Sequence, residues 1–217
     1  MAIPKLVIGN KNYSSWSLRA WLMLSKLEIF EEVLVPLSTA GSKERLLSYS
    51  PTGKVPVYLE DDLVIWDTIA IAEYLAEKYP QLLPRDTKQR ARARSISAEM
   101  HSGFFALREN MPMNCRATDR RVELTPELTS DIDRVRAIWT ECRNDNAAAG
   151  SWLFGSFSMA DAMFAPVVFR FNTYGVECDR LETEYMQTVL QDSDVQQWYE
   201  AAVKEPEVIE EEEVGMN

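Results

Sequence analysis

Two adjacent hydroxyls, Ser14 and Ser15, stand at the head of an amphipathic run in NYSSWSLRAW, residues 12–21. The start of a helix leaves backbone N–H groups unpaired and carries a partial positive charge, so it favours an anion. One serine oxygen there accepts an orphan N–H and caps the helix. The second hydroxyl is then free to steady a thiolate or a carboxylate. Further along, Asp67-Thr68 opens another helical pattern. Its carboxylate suits an ammonium, while Thr68 and the first-turn N–H groups suit a carboxylate. An ammonium and a carboxylate on one carbon make an α-amino-acid head. Between these sites, Val55-Pro56 interrupts an apparent strand. Proline donates nothing to a ladder, so it belongs at an edge, a bulge or a cis turn, where backbone groups stay open to an extended peptide.

Composition removes several other chemistries. A chain of 217 residues, 46% hydrophobic, makes one large domain or two small ones. A formal charge of −11 argues against nucleic acid, whose phosphates demand basic surface. Cys115, Cys142 and Cys178 are odd in number and lack a C-x-x-C pair, against a disulfide scaffold, a zinc site or a dithiol motif. His101 is the one histidine, so no metal is expected. No apolar run reaches the ~18 residues of a membrane span, and MAIPKLVIGN lacks the marks of a signal peptide. A cytoplasmic protein without membrane association is expected.

Two styles of sequence meet near residue 80. Before it, KLVIG (5–9) reads as a buried strand and residues 15–27 as a helix with Leu18, Trp21 and Leu22 on one face. EEVLVPL (31–37) reads as a strand and SKERLLSYSP (42–51) as a short helix. KVPVYLED (54–61) and LVIWD (63–67) form a hairpin, and DTIAIAEYLAEKYP (67–80) a helix. The order implies an α/β domain over residues 1–80 with a mixed four-stranded sheet. A proline-marked linker, 81–87, leads to an all-helical domain, 88–204. There residues 88–110 read as one long helix. Residues 127–143 carry Leu128, Ile132, Val135, Trp139 and Cys142 on one stripe, which makes Cys142 a core residue. SMADAMFAPVVFRF reads as a buried central helix, capped by Ser158 and Asp161 and kinked at Pro166. A last helix or helix pair covers 182–204. The acidic tail, 205–217, is expected to be solvated and mobile.

The constellation describes a site for glutathione, and the sequence resembles the cytosolic glutathione transferases. SPTGKVPVYLEDDLVIWDTIAIAEYL (50–75) is similar to their glutathione-binding segment. SSWSLRAWLML (14–24) is similar to the serine motif of the zeta class, near theta, and SMADAMFAP (158–166) to the family's C-terminal capping box. The resemblance implies a thioredoxin-like N-terminal domain, an all-helical C-terminal domain and a homodimer. Two departures stand out. Trp16 replaces the zeta-class cysteine, so any step tied to that cysteine does not carry over. Asp67-Thr68 replaces the usual Glu-Ser or Gln-Ser.

Carried over by position, Ser14 hydrogen-bonds the glutathione sulfur and favours its thiolate. Ser15 is the alternate for that contact; with Ser14 on the sulfur, Ser15 serves as the cap. Val55 pairs with the peptide backbone beside a cis Pro56, Lys54 meets the glycyl carboxylate, and Asp67 and Thr68 clamp the γ-glutamyl head. Arg19 is read as a buried anchor for the first helix. For the electrophile, Met100, Phe104 and Arg108 fall at i, i+4 and i+8 of the long helix with His101 beside them, and Trp16 supplies an aromatic wall. Three functions follow: a transferase for hydrophobic electrophiles, a glutathione-dependent isomerase of the maleylacetoacetate type, or a non-catalytic binding module. An isomerase of a conjugated diacid needs extra cations, and Arg108, Lys11 and Lys54 are the candidates.

Overall fold

A computed structural model describes residues 3–27 and 29–215. The sheet is built from β1 (Lys5–Ile8), β2 (Glu31–Leu34), β3 (Val57–Glu60) and β4 (Leu63–Trp66) in the order β2-β1-β3-β4. β1 and β2 are parallel, while β3 runs antiparallel to both β1 and β4. A parallel pair needs a crossover, supplied by α1 (Ser15–Ser25); the tight turn at Asp61-Asp62 joins the antiparallel pair. α2 (Ser42–Leu47) and α3 (Thr68–Lys78) complete the thioredoxin-like domain. The apolar run of β1 is explained by period-two alternation between two covered faces. Leu6 and Ile8 join the main core, while Val7 packs with Val35, Leu46 and Val57 in a smaller one.

The helical domain contains α4 (Thr87–Ser102), α5 (Phe105–Asn110), α6 (Pro126–Asn146), α7 (Met159–Tyr174), α8 (Arg180–Leu190) and α9 (Ser193–Ala202). α7 is buried on nearly every side, as its apolar sequence requires. Its start carries the expected capping box: Asp161 accepts the Ser158 N–H and hydroxyl, both at 2.8 Å. Pro166 lies inside a helix that continues to Tyr174. Cys142 is fully buried, and burial pushes its thiol up to about 11, so it is a core residue.

Two expectations fail here. The long helix over 88–110 is broken, because Gly103 ends α4 and Phe104 adopts a left-handed conformation at φ 61 before α5 begins. The i, i+4, i+8 stripe through Met100, Phe104 and Arg108 therefore does not exist. The acidic tail is docked rather than solvated through Glu213. Glu205 accepts the backbone N–H groups of Lys11 at 2.7 Å and Asn12 at 3.0 Å. Arg116 donates to the carbonyls of Glu205 and Glu207, both at 2.6 Å. Glu213 accepts from Tyr13 at 2.6 Å, Asn114 at 2.9 Å and Arg120 at 2.5 Å. The charge run finds specific donors on both domains, which a composition rule cannot anticipate.

Candidate active site

The first turn of α1 is organised by hydroxyls. Ser14 is the N-cap: its Oγ accepts the Ser17 N–H at 3.4 Å and donates to Ser17 Oγ at 2.7 Å. Ser17 Oγ also accepts the Gly9 N–H at 3.0 Å, which ties the helix to the end of β1. Capping thus falls to Ser14 and not to Ser15. The Ser15 hydroxyl, at the first helical position, makes no hydrogen bond with any described residue, although Ser15 is only 6% exposed.

Two cavities meet over this turn. One, of about 460 Å³, is lined by Lys54, Val55, Pro56, Asp67, Thr68 and His101. The other, of about 400 Å³, is lined by Ser14, Ser15, Leu37, Arg108, Arg170 and Glu212. Trp16, Lys54 and Val55 line both. The Val55-Pro56 peptide is cis. Asp67 caps α3, with its Oδ1 accepting the Ile69 N–H at 2.9 Å, and holds φ 76, a region that non-glycine residues seldom adopt. Its Oδ2 lies 3.5 Å from His101 Nε2, across from α4. Thr68 is buried and its hydroxyl donates to the Trp16 carbonyl at 3.4 Å. That joins the starts of α1 and α3 and leaves its main chain, not its hydroxyl, for a ligand.

Behind the second cavity the charge is concentrated. The Arg19 and Arg108 guanidinium carbons lie 4.5 and 4.7 Å from the Trp16 ring centre, and His101 meets the same ring edge-on at 5.3 Å. Arg19 is fully buried and donates from Nε to the Met163 carbonyl at 2.9 Å, while Nη1 and Nη2 find no hydrogen-bond partner among the described residues. Burial, aided by Arg108 and Arg170, pulls its pKa well down. Burial and then Arg108 bring Arg170 to about 10. Burial also lowers His101, with Arg19 and Arg108 adding to it and Asp67 opposing.

Sequence comparison identifies the two halves separately. The family model described as "Glutathione S-transferase, N-terminal domain" matches residues 13–78, and "Glutathione S-transferase, C-terminal domain" matches 116–201. The chain belongs to the glutathione S-transferase family. A probable maleylacetoacetate isomerase of Caenorhabditis elegans is 40% identical over 48% of this chain and 49% of that protein. A maleylacetoacetate isomerase of Rattus norvegicus is 28% identical over 76% of each. The match thus spans about half the length of the first relative and about three quarters of the second. A glutathione transferase homolog from Burkholderia, crystallised with bound glutathione, superposes with a TM-score of 0.70 at 23% identity. It covers 94% of this chain and all of that one, which shows the shared fold.

Against the family pattern, the structure brings Ser14, Ser15, Lys54, Val55, Pro56, Asp67 and Thr68 to one cleft. Of the residues expected around the electrophile, Trp16 and Arg108 line the cavity beside the serines. Met100 and Phe104 do not: Met100 is buried in the core from α4, and Phe104 is buried at the break that follows Gly103. His101 stands in the other cavity, beside Asp67. Lys11 is also misplaced as a site cation: it is 8% exposed, pairs with Glu32 at 2.7 Å and lies over Trp21 and Trp198. Arg170 was missed. Its signal was a lone basic residue inside the apolar run AMFAPVVFRF, where an unpaired charge calls for a reason. Glu212, within a run of four glutamates, carried no signal.

Proposed function

We propose that the protein conjugates the thiolate of glutathione to a small electrophile. The observation that carries this is the shared wall of the two cavities at the first turn of α1, where Ser15, a nearly buried residue, presents an unpaired hydroxyl to the cavity. Glutathione lies along the first cavity. Asp67 takes its ammonium, the start of α3 at Thr68 takes its α-carboxylate, the main chain of Val55 pairs with its peptide, and Lys54 meets the glycyl carboxylate. The sulfur then sits over Ser14 and Ser15, at a helix start that favours negative charge. Ser15 has a proton to donate to it; Ser14 has committed its own to Ser17. The thiolate attacks an electrophile held in the second cavity against Trp16 and Arg108, in the fixed geometry that replaces a bimolecular encounter.

A second reading, isomerisation of a conjugated diacid by addition and loss of the thiol, is favoured by Arg108 and Arg170 in that cavity. A binding module without catalysis has no use for the free hydroxyl at the sulfur position. The protein works as a homodimer in the cytoplasm on this reading. Retention on immobilised glutathione, followed by turnover of a chromogenic aryl halide, tests it. Failure to bind removes the site assignment, and binding without turnover of aryl halide or diacid leaves the module.

A further inference from the structure

The second cavity has an unusual charge pattern, and the docked tail creates it. Three cations line it: Lys54, Arg108 and Arg170. Arg108 commits Nε to the Gly103 carbonyl at 2.9 Å and Nη2 to the Met100 carbonyl; Arg170 commits Nη1 to the carbonyls of Arg108 and Met111. Carbonyls fix both groups but neutralise neither, and neither forms an ion pair among the described residues. One carboxylate lines the cavity with them, that of Glu212, while Asp131 acts on Arg108 from outside it. Its place is set by its neighbours: Ile209, 9% exposed, walls the same cavity, and Glu213 is bound to Tyr13, Asn114 and Arg120. Glu212 itself is half-buried and makes no side-chain hydrogen bond with a described residue. Arg170 acts on it electrostatically without reaching ion-pair distance. The cavity therefore holds unspent cationic donors and an unspent carboxylate that do not pair with each other.

We infer that this cavity is a one-anion site: Arg108 and Arg170 bind a single carboxylate of the electrophile, and Glu212, delivered by the C-terminal segment, is a specificity-determining residue that rejects a second. This rests on the proposed glutathione function and narrows it. A neutral electrophile leaves two fixed guanidinium groups without an anion. A monocarboxylate satisfies them. A dicarboxylate sets its second charge against Glu212 at short range. The diacid isomerase reading is disfavoured for the same reason.

Calorimetry with three non-reactive conjugates tests this on the full chain: S-benzylglutathione, its ring monocarboxylate and its ring dicarboxylate. The monocarboxylate is expected to bind about tenfold more tightly than S-benzylglutathione, the low end of a charge-assisted hydrogen bond, and the dicarboxylate to lose about that factor again. In Glu212→Gln, the ratio of dicarboxylate to monocarboxylate affinity should rise about tenfold, as the repulsive element is removed. Equal wild-type affinity for the neutral and monocarboxylate conjugates would overturn the proposal, and needs no variant to fold. So would a Glu212→Gln ratio equal to that of the wild type. If no conjugate binds and glutathione does not either, the glutathione site is what fails.

Discussion

His101 Nε2 lies 3.5 Å from Asp67 Oδ2 and so joins the helical domain to the cap of α3. Burial lowers the pKa of His101, Asp67 raises it, and Arg19 and Arg108 lower it further. The native state thus holds the imidazole neutral. Its contribution to stability is present above the ordinary histidine value of about 6.5 and is lost as pH falls through that value towards the folded one. The chain has one histidine, so its imidazole proton resonance is unambiguous. It should titrate below 6.5 in the free protein. A bound ammonium at Asp67 offsets the raising influence, so S-methylglutathione should move the titration lower still. By reciprocity, affinity for S-methylglutathione should weaken as pH falls through the same range, and His101→Gln should flatten that dependence. Titration above 6.5, or no movement on binding, would remove this coupling.

The two serines divide their tasks. Ser14→Ala removes the α1 cap and should cost about 0.5–2 kcal/mol of stability, with a smaller effect on thiol ionisation. Ser15→Ala should leave stability nearly unchanged, raise the pH at which bound glutathione ionises and slow turnover at neutral pH. Thiolate absorbance against pH, with thermal melts of both variants, separates the roles. A shifted ionisation in Ser14→Ala alone would return the sulfur contact to Ser14.

The proposed function gives Asp67 a third task, the ammonium of the γ-glutamyl group. Asp67→Ala should weaken glutathione binding by about 1–3 kcal/mol, the usual loss when a charge-assisted bond is truncated. Asp67→Asn keeps the α3 cap, because an amide oxygen still accepts the Ile69 N–H, and should lose most of the same affinity. Calorimetry on both variants is the measurement. Full affinity in Asp67→Asn would place the ammonium elsewhere.

Assembly makes a prediction independent of the site. Phe105 is 73% exposed, and Leu63, Val64 and Trp66 are exposed on the edge strand β4. An uncovered apolar edge is a liability that a two-fold partner removes. Light scattering should give about twice the 24.9 kDa of the monomer. Phe105→Ser should shift the equilibrium towards monomer, and a monomeric wild type at working concentration would rule the dimer out.

Local chemistry determined much of this protein. The β-branched runs, the cap residues Asp67 and Ser158, and the proline at 56 act over a few residues, so the mixed sheet, α3, α7 and the segment proposed to face glutathione were legible in order. What lay beyond reading depended on contacts between distant segments. Whether Ser14 or Ser15 caps α1 is decided by the partner that Ser17 finds in Gly9. Met100 left the site because α4 turns it into the core, and Phe104 because it takes up a left-handed conformation where the chain is re-aimed after Gly103. Glu205 and Glu213 read as a solvated charge run, yet they meet donors from Lys11, Asn12, Tyr13 and Arg120, nearly two hundred residues away for the first three. Arg170 and Glu212 came to line one cavity only when α7 and the C-terminal segment were packed around α1. Sequence periodicity reports which face of an element is apolar; it carries no information about which charges that packing brings together.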